Sequence, residues 1–161
     1  MIKHSVLASA LVAALIASPA TAHADCGQDG QPACTGPVPT VDQVTALLNE
    51  LTDPNTPAED KHDVVVTSDF APNQIGWLDG TWNQLRAIFP LDYAVTDIQP
   101  APNNFAGATV GTHANGHATW ASPFPIALVN QNGHWLITHK TAMDYVIHVY
   151  WHYEIHPVPV L

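Results

Sequence analysis

The sequence predicts an α+β fold: N-terminal helices, then a curved antiparallel four-stranded meander packed against them, closed by a C-terminal helix or an extra strand. Three observations predict it. Up to residue 88, apolar side chains recur at helical spacing; from Leu91 they alternate with polar ones; and Asn132-Gly133 separates two apolar runs as a hairpin turn does.

The chain of 161 residues opens with Lys3 ahead of an apolar run from Val6 to Ala17, then small residues ending in Ala22-His23-Ala24. That order predicts a cleavable secretory signal over 1–24 and a mature start at Asp25. The apolar run is shorter than the roughly 18–20 residues that cross a hydrocarbon core, which argues against a membrane anchor. Asp25 likewise argues against lipidation at Cys26, since that motif wants a small neutral residue there. Residues 25–39 read as a tail and linker. The two cysteines, Cys26 and Cys34, both lie in it, and in an oxidising compartment they are expected to pair as a local clip. Their spacing is not that of a C-x-x-C redox or metal pair.

A single α+β domain is expected over 40–156. Thr40 and Gln43 form a capping box for a helix over about 41–52, with Val44, Leu47, Leu48 and Leu51 on its apolar face and Asp53-Pro54 as its stop. Thr56, Pro57 and Glu59 open a short acidic helix. A third helix is expected from roughly Gln74 to Ile88, weakened by Gly76 and Gly80. Strands follow at Leu91–Pro100, Phe105–Thr112, Pro125–Asn130 and His134–Ile137, with turns around Asn115-Gly116 and at Asn132-Gly133. Thr141 and Asp144 suggest a capping box for a last helix over about 142–152. The aromatic and β-branched run Val149–Ile155 equally suits a strand before the tail at 157–161.

Composition limits the partners. Once the leader is removed, Lys61, Arg86 and Lys140 stand as three fixed cations against fourteen carboxylates, a net charge of −11. Such a surface repels nucleic acid and anionic lipid. The chain carries no Ser-His-Asp signature, glycine-rich phosphate loop or H-E-x-x-H motif, so acyl transfer, nucleotide chemistry and metalloproteolysis have no support.

Several stretches form a pattern together. They are Val38-Pro39-Thr40 through Leu47-Leu48-Asn49 to Asp53-Pro54-Asn55, then Val95-Thr96-Asp97-Ile98-Gln99-Pro100, and Val129-Asn130-Gln131-Asn132-Gly133-His134-Trp135 followed by Ala142-Met143. In order and spacing, across most of residues 38–146, these resemble the mycobacterial low-molecular-weight secreted antigen family. The resemblance implies a secreted, culture-filtrate protein with a cystatin-like or nuclear-transport-factor-like cone, recognised by host T cells and without established enzymatic activity. It transfers no catalytic residues. The cysteine clip, the segment Trp77 to Trp82 and the chain after Val146 depart from the family pattern.

Three functional classes follow: a non-catalytic extracellular or envelope protein acting by binding an unknown protein; a carrier of small hydrophobic ligands, or an enzyme, using the cone; and extracellular zinc or copper capture. For the last, His148, His152 and His156 recur every four residues and share a face on a helix, which suits one borderline metal ion. As a strand they project together about 7 Å apart, which suits it less. His113 and His117 flank the Asn115-Gly116 turn and would face each other across a hairpin, adding ligands only if the C-terminal segment packs beside them. No cofactor other than such a zinc or copper ion is implied. For the second class, Trp77, Trp82, Tyr93, Trp120 and Trp135 are candidates to line the cavity, with Asp97 and His139 as conceivable bases; plain core is the simpler reading of the aromatics.

The mature chain holds eight histidines. With ordinary imidazoles titrating near pH ~6.5, acidification to about pH 5 is expected to carry the net charge from −11 toward −3. Electrophoretic titration checks this; no extra proton uptake between neutrality and pH ~5 refutes it.

Overall fold

The computed structural model describes residues 26–28, 30–66 and 71–155. The expected leader, its cleavage site, His156 and the tail at 157–161 lie outside them. Cys26 and Cys34 form the expected disulfide, with an S–S distance of 2.07 Å.

The helix α1 spans Val41–Thr52, with Thr40 Oγ1 accepting from the Gln43 amide and Gln43 reaching back to the Thr40 amide, as the capping box requires. Val44, Leu48 and Leu51 point inward and are fully buried. The acidic segment opened by Pro57 is a 3-10 turn over Ala58–Asp63, not an α-helix, because the backbone kinks at Lys61 (φ −83°, ψ 27°). The third helix starts earlier than expected and ends earlier: α2 runs Pro72–Gln84, and Leu85–Ile88 tighten into a further 3-10 turn. Proline at the first position of α2 lacks only a donor that would be unsatisfied anyway, and the Gln74 side chain accepts from the Ala71 amide.

The four strands form one antiparallel sheet in the order β1 (Leu91–Ala101), β2 (Phe105–Ala114), β3 (Phe124–Gln131), β4 (His134–Ile137). Period two puts Ala106, Ala108, Val110, Thr112 and Ala114 on the buried face of β2, and Gly107, Thr109, Gly111 and His113 on the other. A bulge in β1 between Thr96 and Gln99 shifts the register, and Asp97 adopts a left-handed φ of 52° there. The Asn132-Gly133 turn has φ of 55° and 90°, both positive, as the primed hairpin turn demands.

The last element is a helix and not a strand: α3 covers His139–Ile155. Its start corrects the expected Thr141/Asp144 box. Thr138 caps the helix instead, its hydroxyl held against Thr141, while Thr141 Oγ1 accepts from the Ala127 amide and ties the helix to β3. Asp144 pairs with Lys140 one turn earlier. Helix α1 packs on β1 and β4, and α3 on β3 and α2. Large rings from the helices, Tyr145 and Tyr153, meet the small side chains of β2, and Trp82 joins them in the same core. No helix among the described residues is long and apolar enough to cross a membrane.

Candidate functional site

Two regions gather the residues singled out in the sequence: the loop after β2, and the interior between sheet and helices. The loop at 115–123 is longer than a hairpin turn, so His113 and His117 do not face each other across one. His113 Nε2 lies 2.9 Å from the His117 carbonyl, and the His113 ring is stacked on Trp120, with centroids 5.2 Å apart. Its Nδ1 stands 3.8 Å from the Asp92 carboxylate. His117 sets its ring edge-on to Tyr153 at 4.7 Å. From α3, His148 reaches the Ser122 carbonyl at 2.9 Å through Nε2 and stacks on Phe124 at 4.9 Å.

His152 lies on the next turn of α3 with its ring edge-on to Tyr153. These imidazoles therefore surround one loop, and His113 and His148 grip its backbone. Among the described residues, no group of three or more His, Cys, Asp or Glu side chains is placed to hold a metal ion. His156, the third histidine of the expected set, lies outside those residues.

The five aromatic candidates separate into two sets. Trp82 (1% exposed), Trp135 (8%) and the half-buried Tyr93 belong to the core layer, whereas Trp77 (41%) and Trp120 (49%) face outward. Trp120 lies on the outer face of the sheet, over Gly111 and beside Ala94. A side chain at 111 would press against its ring, with only 3.4 Å between the two. Asp97 sits exposed on the β1 bulge, where Thr96 donates to it, and His139 is the first residue of α3, half-buried. Asp97 therefore does not face the interior, whereas the Nε2 atom of His139 is buried.

What the interior does hold is a set of phenols and hydroxyls, of which the sequence singles out Tyr93 alone as a cavity candidate. Tyr93 Oη lies 2.8 Å from Thr52 Oγ1, and Tyr145 Oη 2.8 Å from Thr112 Oγ1. Tyr153 Oη accepts from the Ala114 amide at 3.0 Å and donates to the Thr112 carbonyl at 3.0 Å. Burial pushes Tyr93, Tyr145 and Tyr153 all above the usual phenol range. They are proton donors, not bases. Among the described residues no carboxylate and no imidazole is fully buried. The one fully buried charge is Lys61, 1% exposed, whose ammonium donates to the carbonyls of Glu50 (2.7 Å) and Asp53 (2.9 Å) at the end of α1. A lone lysine in an acidic segment gives no signal of this in the sequence.

Each of these tyrosines has a folded pKa above its unfolded value of 10.0, so the native state keeps protons that the unfolded chain releases at high pH. Their stabilisation is complete below pH ~10 and is lost as pH rises further. Lys61, whose pKa burial lowers, acts with the opposite sign, gaining stability as pH rises toward 10.5. Comparison of wild type with Tyr145→Phe isolates the phenol. The variant is expected to cost about 1–3 kcal/mol at neutral pH, since Thr112 loses its partner, and to flatten the loss of stability between pH ~10 and ~11.5. Denaturant unfolding across that range checks it; equal alkaline slopes would contradict it.

A family model described as the C-terminal domain of low molecular weight antigen MTB12 matches residues 37–149, which run from just before α1 into the third turn of α3. The low molecular weight antigen MTB12 proteins of Mycobacterium bovis and Mycobacterium tuberculosis are each 31% identical over 125 residues, covering 70% of this chain and 67% of the relative. The disulfide and His152 fall outside the span matched by the model.

Proposed function

The chain belongs to the low molecular weight antigen MTB12 family, and from that premise we propose that it is an exported, non-catalytic protein that acts outside the cytoplasm by binding, through its surface and not through an internal cavity. One observation carries the reading. Rings enter the space between sheet and helices from both layers, with Tyr93, Tyr145 and Tyr153 hydrogen-bonded to groups of the same chain. A small-molecule site in such a cone needs an apolar cavity of several hundred Å³ and a few unsatisfied polar groups aimed into it. Tyr145, Tyr153 and Trp82 stand where that cavity would be.

Catalysis by proton transfer needs a base within reach of a bound substrate. The inward-facing groups here are protonated phenols and threonines, which suits structural hydrogen bonding. Export is supported by the leader over 1–24, by the acidic mature chain, and by the Cys26–Cys34 pair, which persists in an oxidising compartment.

Native mass spectrometry of protein from the culture supernatant of the producing cells tests the proposal. The expected species begins at Asp25, is oxidised at Cys26 and Cys34, and carries neither a small ligand nor stoichiometric zinc or copper. An intact precursor retained in the cells, a ligand bound in the interior, or a stoichiometric metal would contradict it.

A further inference from the structure

We propose that the groove between α1, the 58–63 turn and the β3–β4 hairpin docks an arginine side chain presented by a partner polypeptide. The inference rests on the reading of the protein as one that acts by binding. Leu47 of α1 and the almost buried Trp135 of β4 make the apolar lining, and Gln43, Glu50, Asp63 and His134 add polar groups. These residues come from stretches far apart in the chain. Leu47-Leu48-Asn49 and Asn132-Gly133-His134-Trp135 both belong to the pattern on which the family resemblance was read, and the fold brings them to one concavity.

Size and charge choose the occupant. The groove has a volume of about 250 Å³, below the ~300–1,000 Å³ of sites that enclose a small organic ligand, and suited to a single long side chain entering from outside. Its two carboxylates, Glu50 and Asp63, are exposed; among the described residues Asp63 forms no salt bridge to a lysine or arginine, and Glu50 meets Lys61 through its main-chain carbonyl and a coulombic attraction only. The one ion-pairing neighbour of Asp63 is His62, at 3.8 Å and itself exposed. The lysines and arginine among the described residues have partners of their own: Lys61 is buried on the Glu50 and Asp53 carbonyls, Arg86 bonds Asn55, Asn83 and the Pro54 carbonyl, and Lys140 pairs with Asp144.

A cation must therefore come from a partner, and the negative net charge favours its approach. Between the two basic side chains, the geometry points to arginine. Its planar, weakly hydrated guanidinium stacks on an indole and forks to carboxylates, whereas a lysine ammonium is a compact, strongly hydrated point charge. The walls are preformed. Lys61 fixes α1 to the turn, the Ile137 amide donates to the Val64 carbonyl at 2.7 Å, and the hairpin tip is held by the Gly133 amide on Asn130 Oδ1 at 2.9 Å. Little ordering cost remains for binding.

The test uses the mature protein with its disulfide intact, labelled with ¹⁵N, and two probe peptides: acetyl-Leu-Arg-Leu-amide and its isosteric neutral counterpart with citrulline in place of arginine. The arginine peptide is expected to shift the Gly133 and His134 amides and the Trp135 indole. The citrulline peptide should bind roughly tenfold more weakly. Asp63→Asn should weaken the arginine peptide several-fold while leaving the fold intact, since Asp63 is exposed and makes no contact with Lys61. Equal binding of the two peptides, no shift at millimolar concentration, or unchanged affinity in Asp63→Asn would each overturn the proposal. Shifts confined to the Trp120 indole would overturn this groove while leaving the reading of a surface-binding protein in place.

Discussion

The ammonium of Lys61 is the constraint on which the rest of the structure depends. Taking a charge out of water costs several kcal/mol, and burial accordingly holds Lys61 below the usual lysine range, with Asp53, Asp79 and Glu50 pulling it back. The offset is local and specific. The carbonyls of Glu50 and Asp53 lie at the C-terminal end of α1, where each takes only one long backbone bond, from the Asp53 amide at 3.3 Å and the Thr56 amide at 3.4 Å, and where the helix dipole is negative. The same residue's carbonyl accepts the amides of Val64 and Val65, and Val64 and Val66 then bond Ile137 of β4 from both sides. Ala58 donates to Asp79 of α2 at 2.7 Å. The Lys61 side chain thus ties the end of α1 to the turn, its main-chain carbonyl leads on to the edge of the sheet, and the turn in which it sits also holds α2.

That frame sets the two layers against each other. With α1 fixed across β1 and β4, its Thr52 hydroxyl meets Tyr93, and the opposite layer closes with Tyr145 and Tyr153 against β2. Near the end of β2, Thr112 and Ala114 meet the rings of Tyr145 and Tyr153 from α3. Phenols satisfied within the chain gain stability from each hydrogen bond made in low dielectric. On the proposed reading, contact with partners falls to the outside, to the groove beside Trp135.

Much of the fold was legible in the sequence because it rests on local chemistry. The Thr40/Gln43 box, the stop at Asp53-Pro54, the alternation from Leu91 and the Asn132-Gly133 turn each involve residues within four positions of one another, and each stands in the structure. Errors fell where two signals compete. Thr138 and Thr141 both suit a helix cap, and Thr138 prevails because the β3 edge needs the Thr141 hydroxyl for the Ala127 amide. The run Val149–Ile155 leaves helix and strand both open in the sequence, and the helix prevails because one face of it, Val149 and Tyr153, meets the core at helical spacing. The site was less legible. Burial of Lys61 and the meeting of Leu47 with Trp135 depend on contacts between distant segments, and neither leaves a periodicity to read. Histidine spacing drew attention to His113, His117 and His148, yet two of the three are spent on gripping the 115–123 loop, which no count of residues between them reveals.

If Lys61 joins these elements into one unit, they should open together. Native-state hydrogen exchange on the wild type and on Lys61→Met, which keeps the length of the side chain and removes its charge, measures this directly. The expected result is a common loss of protection in the last turn of α1, at Val65 and Val66, and at Ile137. Loss confined to residues 58–63, with α1 and β4 as protected as before, would contradict the claim that Lys61 holds the frame together.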